Sequence, residues 1–537
     1  MRHFNLLVLL NISILYALSC ASPIYPETPE LYKYKQTLEG KIILGNKLEN
    51  PYSISNIRNA YEVLATKGGD VQAMPDANWL YVRFQPKDSS DFRFLEDMEL
   101  YQYPLDYEIL QYGDTYHDPE IPDDEITWMY TRVPTDFRFP DIKYEIIDEC
   151  FVPESTPDTK ASSFYEALES LSIELTGNSV AETKAVSSSN GYPEGFVYVE
   201  NKDISGKKTP VKGVEIRCNY FLKFANAYTD QNGHYRINTK FSQNPNYEII
   251  YSNIEDFVIW NGLWIISPAS ASFGKGSKNG CDLLVKVGDK AWSWSVINNA
   301  GYDKAQADLV YNVPFVPTGM KIMVFPGKPS DNAWGATPML RHIWGVGIDS
   351  NSLALDIISN IAVVPVSTVL LTIFKLALPD MILHNGYMEQ GYYKDLYYHV
   401  WHEYAHASHF VVAKQEYWHR YASILMSNGF SYGKKSHEHA GIIDVGESWA
   451  EAYTNYIYYQ NYPATKFYDR GHFDSGENFT ISKCLSDILE SEILTPGQVV
   501  RAMDSDVRTI EEFKNALVAK YQYKQTELLK KYAYYGI

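Results

Sequence analysis

His402-Glu403-Tyr404-Ala405-His406 asks its stretch of the chain to be an α-helix. At about 100° per residue, two imidazoles four positions apart lie about 40° from each other on one face and can grip one ion together. The surroundings allow that helix: Tyr392 to Val412 contains no Pro or Gly, and Val400, Trp401, Ala405 and Phe410 give it a side to bury. Neutral imidazole suits zinc, and a site with three protein ligands leaves the fourth position to water. Glu403 projects beside that position, where it would take a proton from water as a general base. His399 and His409 share the face and are expected to support the ligands or line the cleft rather than bind the ion.

The rest of the chain must supply a third ligand and a scaffold. With 537 residues, three or four domains are expected. The formal charge of −19 argues against a nucleic-acid binder, which needs clustered Lys and Arg against phosphate. Leu80 to Phe84 alternates as a strand. From Lys87 to Glu125 there are 13 acidic residues against Lys87 and Arg93, a pattern expected of a solvated face. A helix is expected over 163–175, and Ser187-Ser188-Ser189-Asn190-Gly191 reads as a domain boundary. Beyond residue 290 the pattern turns helical, with helices expected over 353–377, 391–427, 445–461, 482–491, 509–521 and 525–534. The apolar run Ile361 to Phe374 contains Pro365 and is short for a membrane span, so it reads as a buried segment.

Between these regions the chain is β-patterned. Gly195-Phe196-Val197-Tyr198-Val199 alternates, Val211-Lys212-Gly213-Val214-Glu215-Ile216 follows, and Thr229-Asp230-Gln231-Asn232-Gly233-His234-Tyr235 is a turn feeding another strand. Tyr247 to Tyr251 makes a fourth. This order of residues, over roughly 193–255, resembles the carboxypeptidase regulatory-like domain, a small transthyretin-like β-sandwich. The resemblance implies an accessory module of a kind often attached to exported peptidases.

For the third ligand, the spacing after His406 decides between classes. A metzincin would carry Gly at 409 and His at 412; this chain has His409 and Val412, which excludes that class. Downstream, Val445-Gly446-Glu447-Ser448-Trp449-Ala450-Glu451-Ala452-Tyr453 places two carboxylates one turn apart, so both can face the first helix. The segment resembles the ligand helix of gluzincin peptidases, which reads E-x-x-x-D or E-G-x-A. That resemblance implies Glu447 as the ligand and Glu451 as the residue that orients a ligating His. Glu451 stands where the family has Asp and Ser448 where it has Gly, so the two roles remain exchangeable; Glu416 is a weaker third choice. Ser436-His437-Glu438-His439 reads as a solvated loop, and Gly429-Phe430-Ser431-Tyr432-Gly433, a formal match to the serine-hydrolase elbow, as a turn between helices.

The N-terminus reads as an export segment. Arg2 and His3 precede an apolar core from Leu6 to Leu18, and the run ends at Ala17-Leu18-Ser19-Cys20. Small residues before a Cys resemble the bacterial lipobox, which implies a lipid at Cys20 and an outer-membrane or cell-surface location; ordinary cleavage would instead give a secreted or periplasmic protein. Cys150, Cys218, Cys281 and Cys484 show no metal-ligand spacing.

The expected organisation is a multidomain α+β chain. Residues 1–19 are a signal peptide, 20–152 an acidic N-terminal mixed α/β region, and 153–191 a linker with a helix. Residues 192–255 are the β-sandwich, and 256–537 a mostly helical zincin-like catalytic domain. The expected activity is hydrolysis of peptide bonds in a peptide or protein substrate, with Zn2+ as cofactor. The membrane would be touched only through the lipid at Cys20. The alternative is a cell-surface binding or adhesion lipoprotein whose metal, if any, is structural.

Overall fold

A computed structural model describes residues 42–67, 72–87, 91, 94–95, 98–113, 116–122, 125–154, 160–179, 191–262, 267–326, 334–344, 378–385, 391–427, 440–461 and 481–537. The export segment with Cys20, the helix expected over 353–377, the Gly429 to Gly433 turn and the Ser436 to His439 loop lie outside these residues. The fold is mixed α/β, with several sheets and a C-terminal helical region. Among the described residues no helix is long and apolar enough to cross a membrane.

The N-terminal region holds β1 (Ile43–Lys47), α1 (Ile54–Thr66), β2 (Trp79–Gln85), β3 (Tyr107–Gln111), β4 (Met129–Pro134), β5 (Lys143–Cys150) and α2 (Lys160–Leu175). Strands β4, β2 and β5 form one antiparallel sheet, and β1 pairs with β3. Because alternate side chains of a strand face opposite ways, β2 feeds two cores. Tyr81 joins the main apolar cluster, whereas Leu80, Val82 and Phe84 close a small separate one with Leu95, Val133 and Ile142. The acidic stretch is not only a solvated face. Asp91, Asp106 and Asp118 are buried, and cations from other parts of the chain meet several of its carboxylates: Lys47 lies 3.4 Å from Asp106 and Arg217 lies 3.0 Å from Glu99. A charge tally confined to the stretch cannot see those partners.

Next come β6 (Glu194–Glu200), β7 (Lys208–Pro210), β8 (Val214–Tyr220), β9 (Lys223–Tyr228), β10 (His234–Arg236), β11 (Asn246–Asn253), β12 (Phe257–Asn261), β13 (Ser270–Lys275) and β14 (Leu283–Val285). They are followed by α3 (Lys290–Tyr311), β15 (Met320–Pro326), β16 (Trp334–Ala336), α4 (Leu340–Trp344) and β17 (Met381–Asn385). Strand β6 pairs with β10, β14 and β7 in one sheet. The other sheet has eight strands in the order β16-β17-β15-β12-β11-β8-β9, with β13 also on β11. The boundary expected between residues 255 and 256 thus falls in the tight turn between β11 and β12, two antiparallel neighbours of one sheet. Strand β12 then pairs in parallel with β15, and β15 with β17. Parallel neighbours need a long crossover, and α3 lies within the first of these. The strand β15 is buried almost throughout, as befits a parallel strand covered on both faces.

The C-terminal helices are α5 (Tyr393–Ser427), α6 (Ala440–Asn461), α7 (Ser482–Glu490), α8 (Pro496–Val500), α9 (Ile510–Lys520) and α10 (Gln525–Tyr534). Helix α5 is broken at Lys414, whose φ is +67°. Thr509 caps α9 by accepting a hydrogen bond from the Glu512 amide, 3.2 Å away. One apolar cluster runs from Tyr52 to Tyr532 and takes in the N-terminal region, both larger sheets and the helices.

Candidate metal centre

Helix α5 is held from three sides by indole hydrogen bonds to backbone carbonyls. Trp401 donates to Ala300 of α3 (2.8 Å), Trp449 of α6 donates to Ala405 (3.0 Å), and Trp418 donates to Thr337 just past β16 (3.0 Å). Large aromatic side chains fill the space between helices and their N–H groups fix the register. The result carries His402, Glu403 and His406 into the interior, each under 8% exposed.

Helix α6 presents Glu447, 1% exposed, to the same point. Its Oε2 lies 3.0 Å from His402 Nε2, its Oε1 lies 3.1 Å from His406 Nε2, and the two imidazole nitrogens are 3.2 Å apart. Among the described residues, His402, His406 and Glu447 are the one group whose donor atoms converge closely enough to hold a metal ion. The spacing suits such an ion: a tetrahedral site with bonds of 2.0–2.1 Å has donor–donor edges of about 3.3 Å. Hydrogen bonds alone serve the cluster badly, since both Nε2 atoms point at each other and at one carboxylate, whereas a shared cation satisfies all of them together. His406 Nδ1 is buried without a hydrogen-bond partner.

Electrostatics couple the three donors to one another. Burial pushes the Glu447 carboxyl up, but the charge of His406 and hydrogen bonds from both imidazoles outweigh it and hold the group well below the usual carboxylate range. Burial lowers His402, yet its hydrogen bond to Glu447, the Glu451 carboxylate 3.7 Å away and the charges of Glu447 and Glu403 leave it well above the ordinary imidazole value. For Glu403 burial dominates and raises the carboxyl, opposed by the charges of His406 and His402.

The two downstream carboxylates take different positions. Glu447 touches both imidazoles, and Tyr421 donates to its Oε1 at 2.9 Å. Glu451 lies with Oε2 3.7 Å from His402 Nδ1, on the far side of that ring from the donor atom. Its Oε1 accepts from Asn455 and lies 2.9 Å from the Tyr398 hydroxyl. Glu416 is elsewhere: its side chain is 67% exposed and pairs with Arg420 and Arg508. His399 is lowered to about 4, first by burial and then by the charge of His402. His409 is fully buried, packs its ring on Tyr417 and Trp418 rather than bonding a donor side chain, and is lowered to about 3 by burial.

Two residues absent from the motif stand beside Glu403. The Thr337 hydroxyl lies 2.8 Å from Glu403 Oε2 and 3.0 Å from its backbone carbonyl. Gly335 of β16 lies so close that a Cβ there would sit 2.7 Å from Glu403 Cγ and Oε1. Neither carries a sequence signal of its own, since they reach the site from a strand more than sixty residues away. Tyr421 is equally hidden, lying beyond the break at Lys414. Compared with known protein families, curated proteins and solved structures, the chain matches none.

Proposed function

We propose that the chain is an exported zinc peptidase of the gluzincin kind. The observation that carries the reading is the convergence of His402, His406 and Glu447, with Glu403 on the same helix packed against Gly335 of β16, the last strand of the eight-stranded sheet among the described residues. His402, His406 and Glu447 would hold the ion. Zinc, when bound, supplies a Lewis acid that acidifies water and polarises a carbonyl. Glu403 takes the proton of the attacking water on Oε1 and passes it to the departing amide nitrogen. Thr337 fixes the other carboxylate oxygen by its hydroxyl, and Glu451, 3.7 Å from the outer nitrogen of His402, would steer that ring by its charge. Among the described residues β16 has no strand on its outer side, and that edge would give an extended peptide a strand to pair with, placing the scissile amide near Glu403.

The test is cleavage of a peptide library by the purified mature chain. Activity abolished by a chelator and restored by zinc supports the reading; a zinc-loaded protein that leaves every peptide intact sinks it. Gly335→Ala separates placement from metal binding. The three atoms nearest the added methyl all belong to Glu403, so zinc uptake is expected to persist while kcat falls about 100-fold, the scale of a 1 Å misplacement. Unchanged kcat would remove Gly335 from the argument.

Export and a lipid at Cys20 belong to the same proposal. Fatty-acid label is expected on the wild-type chain in a bacterial host and not on Cys20→Ser; equal labelling of both would exclude the anchor.

A further inference from the structure

Lys304 and Asp308 of α3 form an ion pair in which neither side chain is exposed, with Nζ 2.7 Å from each carboxylate oxygen. They belong to a helix that carries none of the candidate donors. Two charges are expensive to bury unless every bond they can make is met. Here the remaining bonds reach the two helices that do carry donors. Lys304 Nζ donates to Ser408 Oγ of α5 at 3.2 Å and lies 4.6 Å from the ring centre of Tyr453 of α6. The Tyr453 hydroxyl donates to Asp308 Oδ1 at 2.5 Å. Ser408 comes two residues after His406, about 160° round the helix from it. Tyr453 comes six residues after Glu447. One charge pair is therefore bonded to the back of both donor-bearing helices.

We propose that Lys304 and Asp308 are positioning residues of the metal centre: they set the separation and register of α5 and α6, and with them the distance from His402 and His406 to Glu447. The proposal rests on reading those three residues as a metal site. Its physical basis is that apolar packing tolerates small slides between helices, whereas directional bonds to a buried charge do not. Donor atoms that share one ion must be held to about 0.5 Å.

The experiment replaces the pair by apolar residues of similar size, Lys304→Met with Asp308→Leu, a swap that often leaves stability unchanged or improved. Two quantities are measured beside wild type: the unfolding midpoint of the zinc-free protein, and the zinc Kd by competition with a chromophoric chelator. The expected result is a zinc-free midpoint near that of wild type with zinc binding weakened about 10–100-fold. The ligand-field bands of the cobalt-substituted protein are expected to shift as well, because they report donor geometry. A folded double variant with wild-type zinc affinity overturns the proposal. Should the double variant not fold, Tyr453→Phe and Ser408→Ala each remove one link. Each is then expected to weaken zinc binding about 2–10-fold, the worth of one hydrogen bond, and unchanged affinity in both overturns the proposal. A wild-type protein that takes up no zinc defeats the metal reading itself and this inference with it, a result distinct from equal affinities in wild type and variants.

Discussion

Glu403→Gln is expected to leave one zinc per chain in place and to reduce peptide hydrolysis by about 10²–10⁴-fold, the range a positioned general base supplies. The substitution keeps the shape of the side chain and its contact with Thr337, whose hydroxyl lies 2.8 Å from Oε2. It removes only the ability to accept a proton. Glu403 touches no donor atom at bonding distance, whereas Glu447 lies 3.0–3.1 Å from both imidazole nitrogens, so zinc content should not follow activity. Steady-state kinetics on a cleaved peptide, with metal analysis of the same sample, checks it. Full activity in a zinc-loaded Glu403→Gln protein would falsify the assignment of Glu403 as the base.

His406→Ala is expected to do the reverse and empty the site. It deletes one of three converging donors and leaves His402 and Glu447 with two, so affinity should fall by more than the roughly 100-fold that supporting residues command. The loss is also visible without substrate. A ligand that binds only the folded state stabilises it by about 2.7 kcal/mol at a hundred times its Kd. Added zinc should therefore raise the thermal midpoint of wild type and leave that of His406→Ala unmoved. Equal zinc-dependent shifts in the two proteins would exclude His406 as a ligand. The variant also opens a small void beside Tyr421, whose ring lies 5.8 Å from the imidazole, so its zinc-free midpoint is the proper baseline.

What could be read from residues alone divides by range. The motif helix was legible because its information is local: two imidazoles, an acid and an unbroken run without Pro or Gly all lie within one segment. The same holds for the segments at 482–490, 510–520 and 525–534, which lie within a residue or so of their expected ends. The described part of helix α6 already begins at Ala440, five residues before its expected start. The groups that complete the surroundings of Glu403 were illegible for the opposite reason. Gly335 and Thr337 arrive through strand pairing of β16 with β17, and Lys304 and Asp308 look in sequence like an ordinary exposed i, i+4 pair on a helix. Only the packing of α5 and α6 over them makes that pair a buried one. The N-terminal carboxylates illustrate the same limit, because the cations that answer them come from Lys47 and Arg217, outside the acidic stretch.

The eight-stranded sheet has a consequence for how this protein can be divided. Its strands β8, β9 and β11 lie before residue 255 and β12, β13, β15 and β17 after it, and β11 pairs with both β12 and β13 across that point. A cut there would strip backbone partners from β11 on one side and β12 on the other, leaving two raw edges of the kind that recruit foreign strands. The stretch that looks like a detachable module is thus half of a shared wall. A piece of the chain that keeps this wall whole must therefore include residues on both sides of 255.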